Sequence, residues 1–260
     1  MDLDDAYANG AHIEGADAYP AKWARLSEGF RAAADGKLDV SYGAGERHKF
    51  DLFWPTTTPK GLFVFVHGGY WLDFDKSWWS HLANGAVQRG WAVAMPSYDL
   101  CPSVRISDIT RQVAAAIEAA SKQVPGPIAL AGHSAGGHLV ARMVTPGGLP
   151  AHCVSRVVRV VPISPVADLR PLLRTSMNAQ LGLDDAEATS ESPVLLPKAG
   201  DAKVTVWVGA QERPAFLDQA KWLADAWGSD RMVSGGKHHF DVIDPLSDPE
   251  SDMIRIALGD

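Results

Sequence analysis

Cysteine is almost missing from this chain: Cys101 and Cys153 are the only two in 260 residues. A small fold stapled by disulfides is thereby excluded, and nothing in the sequence argues that these two form a bridge. No apolar run approaches the roughly 20 residues needed to span a bilayer, so a membrane is not an expected partner. The first residues, Met1-Asp2-Leu3-Asp4-Asp5, are acidic and lack the basic and apolar regions of a secretion signal, which makes a cytoplasmic protein the expectation. Lys and Arg are nowhere clustered and the formal net charge is −7, so nucleic acid is not expected either. There is no internal repeat, low-complexity segment or clear linker. What is present, 46% hydrophobic and 21% charged residues, has the balance of an ordinary globular protein with enough chain for a large core. One domain over residues 1–260 is expected, with its oligomeric state left open.

Short, largely apolar runs recur along the chain: Leu62–Val66, Trp91–Met95, Ile128–Ala131, Val157–Ile163 and Val204–Val208. Such runs suit strands buried on both faces inside a parallel sheet. A strand pair, Val40–Tyr42 and Lys49–Trp54, is expected ahead of them around Gly43-Ala44-Gly45. Helical stretches lie between the runs. In Ser107–Val124, Ile109, Val113, Ile117 and Ala120 repeat at three- and four-residue steps, with Ser107 or Asp108 as cap; Trp78–Arg89 and Phe216–Trp227 read similarly. Residues 1–38 read as an amphipathic helical segment, and 164–200 as a loop-and-helix excursion over the sheet edge. Alternating strands and helices imply an α/β fold with a mostly parallel central sheet covered by helices on both faces.

Gly132-His133-Ser134-Ala135-Gly136 fits Gly-x-Ser-x-Gly, between the strand Ile128–Ala131 and a helical run through Val144. A Gly-rich chain can produce three fixed positions by chance; the strand before and the helix after make the match meaningful. The turn is tight enough that flanking side chains would collide, hence the glycines, and it lifts the Ser134 hydroxyl to a helix N-terminus that favours developing negative charge. Ser134 is the candidate nucleophile. His67-Gly68-Gly69-Tyr70-Trp71 follows the strand Leu62–Val66, at the carboxyl edge where open α/β sheets bind ligands. Its small residues let main-chain N–H groups approach a substrate carbonyl, so Gly69 and Tyr70, with Gly68, are candidate oxyanion donors together with Ala135. Tyr70 and Trp71 are expected to touch substrate, with Trp71 narrowing the site beside the acyl carbon.

On this fold the acid and then the histidine follow the serine along the chain. Only His238 and His239 remain beyond the last apolar run, and adjacent residues point in different directions; His239 is favoured as the base. For the acid, Glu212 lies just past Val204–Val208, with Asp168 as the competitor, while Asp218 falls too far into the following helix. The His-His-x-Asp cluster ending at Asp241 could suggest a metal site, but two adjacent histidines rarely chelate one ion without a third ligand from elsewhere. The serine–acid–histidine set already accounts for them, so neither a metal nor a cofactor is expected.

With these residues in place, the sequence resembles the kynurenine formamidase (arylformamidase) group of α/β-hydrolases over nearly its whole length. His67-Gly68-Gly69-Tyr70-Trp71 is the most specific piece, joined by Tyr98-Asp99-Leu100-Cys101-Pro102, Gly132–Gly137, His239-Phe240-Asp241 and the stretch from Tyr7 through Tyr19 to Trp23. Two positions depart from the group: Glu212 stands where aspartate is usual, and Ala8-Asn9-Gly10 only loosely matches an Asn-rich segment. The resemblance implies a serine hydrolase cleaving a small ester or aryl formamide, with residues 1–38 covering the active site. A promiscuous short-chain carboxylesterase or thioesterase would use the same residues, and a non-catalytic binding module on the same fold is the remaining alternative.

Overall fold

A computed structural model describes residues 3–259; Met1 and Asp2 of the expected amino-terminal segment, and Asp260, lie outside the described residues. Eight strands form one sheet: β1 Gly36–Ser41, β2 Lys49–Phe53, β3 Leu62–Val66, β4 Ala92–Pro96, β5 Ile128–His133, β6 Val157–Ile163, β7 Lys203–Gly209 and β8 Asp230–Ser234. They lie in the order β1-β2-β4-β3-β5-β6-β7-β8. β2 is antiparallel to both β1 and β4, and every other pairing is parallel.

The fully apolar runs are apolar because the sheet is buried twice over. In β3, Leu62, Val64 and Val66 enter one core, while Phe63 and Phe65 enter the other. In β5, Ile128 and Leu130 divide from Ala129 and Ala131 in the same way. Six helices supply most of the cover: α1 Leu3–Tyr7, α2 Tyr19–Ala33, α3 Ile106–Gln123, α4 Ala135–Met143, α5 Pro214–Trp227 and α6 Asp252–Leu258. The first face packs against Ile109, Val113 and Ile117 of α3, Leu139 of α4 and Phe216 of α5. The second packs against Trp23 of α2 and Met253 and Ile254 of α6.

Helix α3 starts one residue earlier than its sequence signature. Arg105 is the N-cap, and Asp108, one of the expected caps, works from the third helical position by accepting the Arg105 N–H at 3.0 Å. The stretch 78–89 is not one helix. Two 3-10 turns, Lys76–Trp78 and Ser80–Ala83, precede a short α-helix at Asn84–Gln88. The amino-terminal segment divides as well, into α1, two 3-10 turns and α2, and its last three residues already belong to β1.

Candidate active site

The strand β5 runs straight into the turn that carries Ser134. Its backbone sits at φ 56°, ψ −115°, a left-handed conformation that side chains rarely tolerate and that persists only when the surroundings over-determine it. Here they do. The Ser134 N–H donates to Ile163 O at 2.8 Å, and the His138 N–H to Ser134 O at 3.0 Å. The flanking glycines are forced: a Cβ on Gly132 would lie 2.2 Å from Gly136 O, and one on Gly136 would lie 2.0 Å from Val66 O. The strand-to-helix turn can close only if both positions lack side chains.

Behind β3, the chain turns left-handed at three successive residues, with φ of 104° at Gly69, 51° at Tyr70 and 59° at Trp71. Glycine answers the first, where a Cβ would meet Asp73 O at 2.5 Å. The N–H groups of Gly69, Tyr70 and Ala135 have no hydrogen-bond partner among the described residues. They are therefore free to meet an acceptor. His67 helps to aim one of them. Its Nδ1–H donates to Gly68 O at 2.7 Å, and because the peptide is planar and trans, fixing that carbonyl also fixes the Gly69 N–H on its opposite side. Burial holds the His67 imidazole down at about 4, so it stays neutral. Tyr98 stacks on it at 4.3 Å and donates to His67 O.

The acid and the histidine approach from two further strand ends. Glu212, just after β7, accepts from His239 Nδ1–H at 2.6 Å through Oε2. A carboxylate only accepts, so Nδ1 carries the proton and Nε2 is left with its lone pair. The other oxygen, Oε1, accepts from the Gly209 N–H at 2.8 Å and from the Ser164 hydroxyl. The Gln211 N–H donates to Lys237 O at 2.8 Å and so ties the acid's loop to the histidine's. The His239 ring lies against Phe216, 4.4 Å between centroids, and against His133 at 4.6 Å. His133 is itself kept neutral, its pKa pushed well below the usual imidazole value by burial and by the neighbouring His239.

The two competitors face elsewhere. Asp168 spends its carboxylate on the Arg170 guanidinium, at 2.7 and 2.9 Å. His238 meets the Tyr19 hydroxyl through Nε2 and the Phe240 N–H through Nδ1.

Gly68, Gly69, Tyr70, Ser134 and His239 line a single cavity of about 580 Å³. One side of it is aromatic: Trp23 lies 4.6 Å from Trp79, 5.4 Å from Phe240 and 6.1 Å from Phe74 between ring centroids, and all four residues line the cavity. Tyr7 and Asn9 line it as well, whereas Tyr19 does not. Trp71 is a correction. It is fully buried, packs edge-on against the His138 ring at 5.1 Å, and is not part of the cavity wall. At the third left-handed position the backbone turns this side chain down into the core beside α4, so it cannot narrow the site.

Sequence reasoning missed Ser164 and Gly209, which share the Glu212 carboxylate. A serine directly after β6 carries no motif, and its contact depends on two strand ends lying side by side. It also missed Phe216, whose place on α5 marks it as core and whose contact with His239 only the packing reveals.

The family described as alpha/beta hydrolase fold matches residues 63–224. A kynurenine formamidase of Drosophila melanogaster is 30% identical over 236 residues, covering 83% of this chain and 78% of that protein. Another, from Salmo salar, is 29% identical and covers 89% of this chain and 84% of its own length. Among solved structures, a Silicibacter protein described provisionally as a thioesterase is 62% identical and superposes with a TM-score of 0.98 over 99% of both chains. This chain belongs to the α/β-hydrolase family, as a hydrolase of the kynurenine formamidase-like kind.

Proposed function

We propose that this protein hydrolyses a small-molecule ester or aryl formamide through an acyl-enzyme on Ser134. The observation that carries the reading is the joint presence, in one cavity, of a serine on a strained strand-to-helix turn and a histidine whose far nitrogen is bound by a carboxylate. Ser134 Oγ attacks the carbonyl carbon as its proton passes to His239 Nε2. Glu212 holds the imidazole in the tautomer with a free Nε2 and stabilises the imidazolium that forms. The N–H groups of Gly69 and Ala135, with Tyr70 and Gly68 beside them, receive the negative oxygen; one such donor contributes about 3 kcal/mol to the transition state. The C–N or C–O bond then breaks, and His239 returns the proton to the departing amine or alcohol. Water, deprotonated by His239, attacks the acyl carbon and releases the acid together with free Ser134. Every step uses groups of this chain, and no cofactor or metal is proposed.

The aromatic side of the cavity supports an aryl leaving group, since flat apolar walls of this kind stack on or edge against a ring. The steric reason for a formyl preference falls with Trp71, so selectivity for formyl rests on the likeness to the kynurenine formamidases. The alternative, a short-chain carboxylesterase or thioesterase, draws on the provisional description of the Silicibacter relative. We further propose a cytoplasmic enzyme forming one hydrolase domain, with its amino-terminal segment lying over the active site. No described helix is long and apolar enough to cross a membrane.

The test is kcat/KM for N-formylkynurenine against phenyl acetate, butyrate and octanoate and a butyryl thioester. A clear preference for the formamide is expected. Good ester or thioester turnover with no detectable formamide turnover would leave the esterase or thioesterase reading in its place.

A further inference from the structure

The loop that offers Gly69 and Tyr70 to a substrate carries strain that it does not resolve by itself. Glycine accounts for the left-handed conformation at residue 69, but Tyr70 and Trp71 adopt it with side chains that disfavour it. Something outside the loop must hold them there. Trp71 is held by burial and by its carbonyl, which accepts the Cys101 N–H at 2.8 Å. Tyr70 is held from a different quarter, the far amino-terminal end of the chain. Its hydroxyl donates to Tyr7 O at 2.7 Å and receives Asn9 Nδ2 at 3.5 Å. Burial raises the Tyr70 phenol well above its usual range, so it keeps its proton, and remains a donor, at any working pH.

Tyr7 is itself fixed with unusual thoroughness for a residue so near a terminus. Its hydroxyl accepts from Gln219 Nε2 at 2.9 Å, and its ring packs edge-on against Phe216 at 5.8 Å. Phe216 is the ring that lies against His239. One residue of α1 thus reaches the donor loop through its carbonyl and the histidine through an intervening ring.

We propose that Tyr7 and Tyr70 are positioning residues: the Tyr70 hydroxyl, anchored on the Tyr7 carbonyl, keeps the Gly69–Trp71 backbone in the conformation that presents the oxyanion donors. This rests on the reading of Ser134 as nucleophile, but it requires neither a formamide nor any particular acyl group. The amino-terminal segment then does more than cover the cavity, because it sets the geometry of the donors.

Tyr70→Phe removes the anchoring hydroxyl and keeps the ring. Tyr7 O stays satisfied in the variant, because it also accepts the Asn9 N–H at 3.1 Å, so the fold should survive. The experiment is phosphonylation by a fluorophosphonate, whose P–F bond breaks as Ser134 Oγ bonds to phosphorus and whose phosphoryl oxygen needs the same donors as a substrate carbonyl. The maximal inactivation rate should fall about tenfold, the net size of one hydrogen bond, while the concentration giving half that rate and the melting temperature stay near wild-type. Amide hydrogen exchange should quicken at residues 69–71 with the sheet unaffected. Inactivation and loop exchange at wild-type rates in Tyr70→Phe would overturn the proposal, as would a loss traced entirely to lower melting temperature. A wild-type protein that the probe does not label would take down the nucleophile assignment, and this inference with it.

Discussion

Glu212 shows how little of a side chain's role lies in its own identity. Asp168 is the residue type usual for this job and also follows a strand, yet its carboxylate is closed off by Arg170. Glu212 is one methylene longer, and it reaches His239 while its second oxygen is pinned by Gly209 and Ser164. Glu212→Gln should therefore lower kcat by about 10³–10⁴ with the fold intact, while Asp168→Asn should leave kcat within a few-fold. The reverse ranking in a steady-state assay would move the acid to the earlier strand. The adjacent histidines should separate in the same way: His239→Ala should cost nearly as much as Ser134→Ala, and His238→Ala should retain most activity, because His238 is engaged by Tyr19. That Glu212 and His239 lie together was legible in the sequence from chain order and from position past β7. What was not legible was the support around them, since Ser164, Gly209 and Phe216 touch the acid or the histidine only because separate strand ends and α5 converge.

The elements with a single strong signal were read nearly to the residue. β3 is buried at every residue, β6 at all but Val158 and Arg159, and α3 buries one regular stripe, so each leaves a clear pattern. β8 had no such signal. Its residues Asp230–Ser234 are mostly exposed on both faces at the sheet edge, and an edge strand that buries nothing leaves no apolar pattern to find. The 78–89 stretch misled for the opposite reason: it is apolar on many sides, and packing against α2 and the carboxyl-terminal helix broke it into short turns that periodicity cannot tell from one helix. Trp71 belongs at this scale too. Its motif neighbours line the cavity, and only the succession of left-handed residues turns it away. Trp71→Ala should therefore act on stability, costing about 3–5 kcal/mol by denaturant unfolding. The ratio of kcat/KM between acetate and octanoate esters should stay unchanged in the soluble fraction. A widened acyl range with unaltered stability would return Trp71 to the cavity wall.

Across the described residues, burial holds down the pKa of four histidines and keeps them neutral. His67, His81 and His138 are held at about 4 and His133 well below its usual value, in each case chiefly by burial. The unfolded chain binds protons at His67, His81 and His138 near 6.5, whereas the folded one resists until about 4, and His133 is shifted in the same direction. Between those limits the unfolded state holds more protons, so stability is complete above about 6.5 and is lost as the pH falls towards 4. A shift of this size corresponds to about 3 kcal/mol per fully buried group, and several together approach the 5–15 kcal/mol stability of a typical domain. Urea midpoints measured from pH 7.5 down to 4.5 should fall steeply, and a flat profile over that range would contradict the buried neutral assignment. The chain carries many serines, but among the described residues only Ser134 stands on a strained turn and shares a cavity with Gly69 and His239. Intact-mass analysis followed by peptide mapping after fluorophosphonate treatment tests that singularity most directly. The expected result is one adduct per chain, located on Ser134 and absent from Ser134→Ala; an unmodified protein, or an adduct on any other residue, would contradict it.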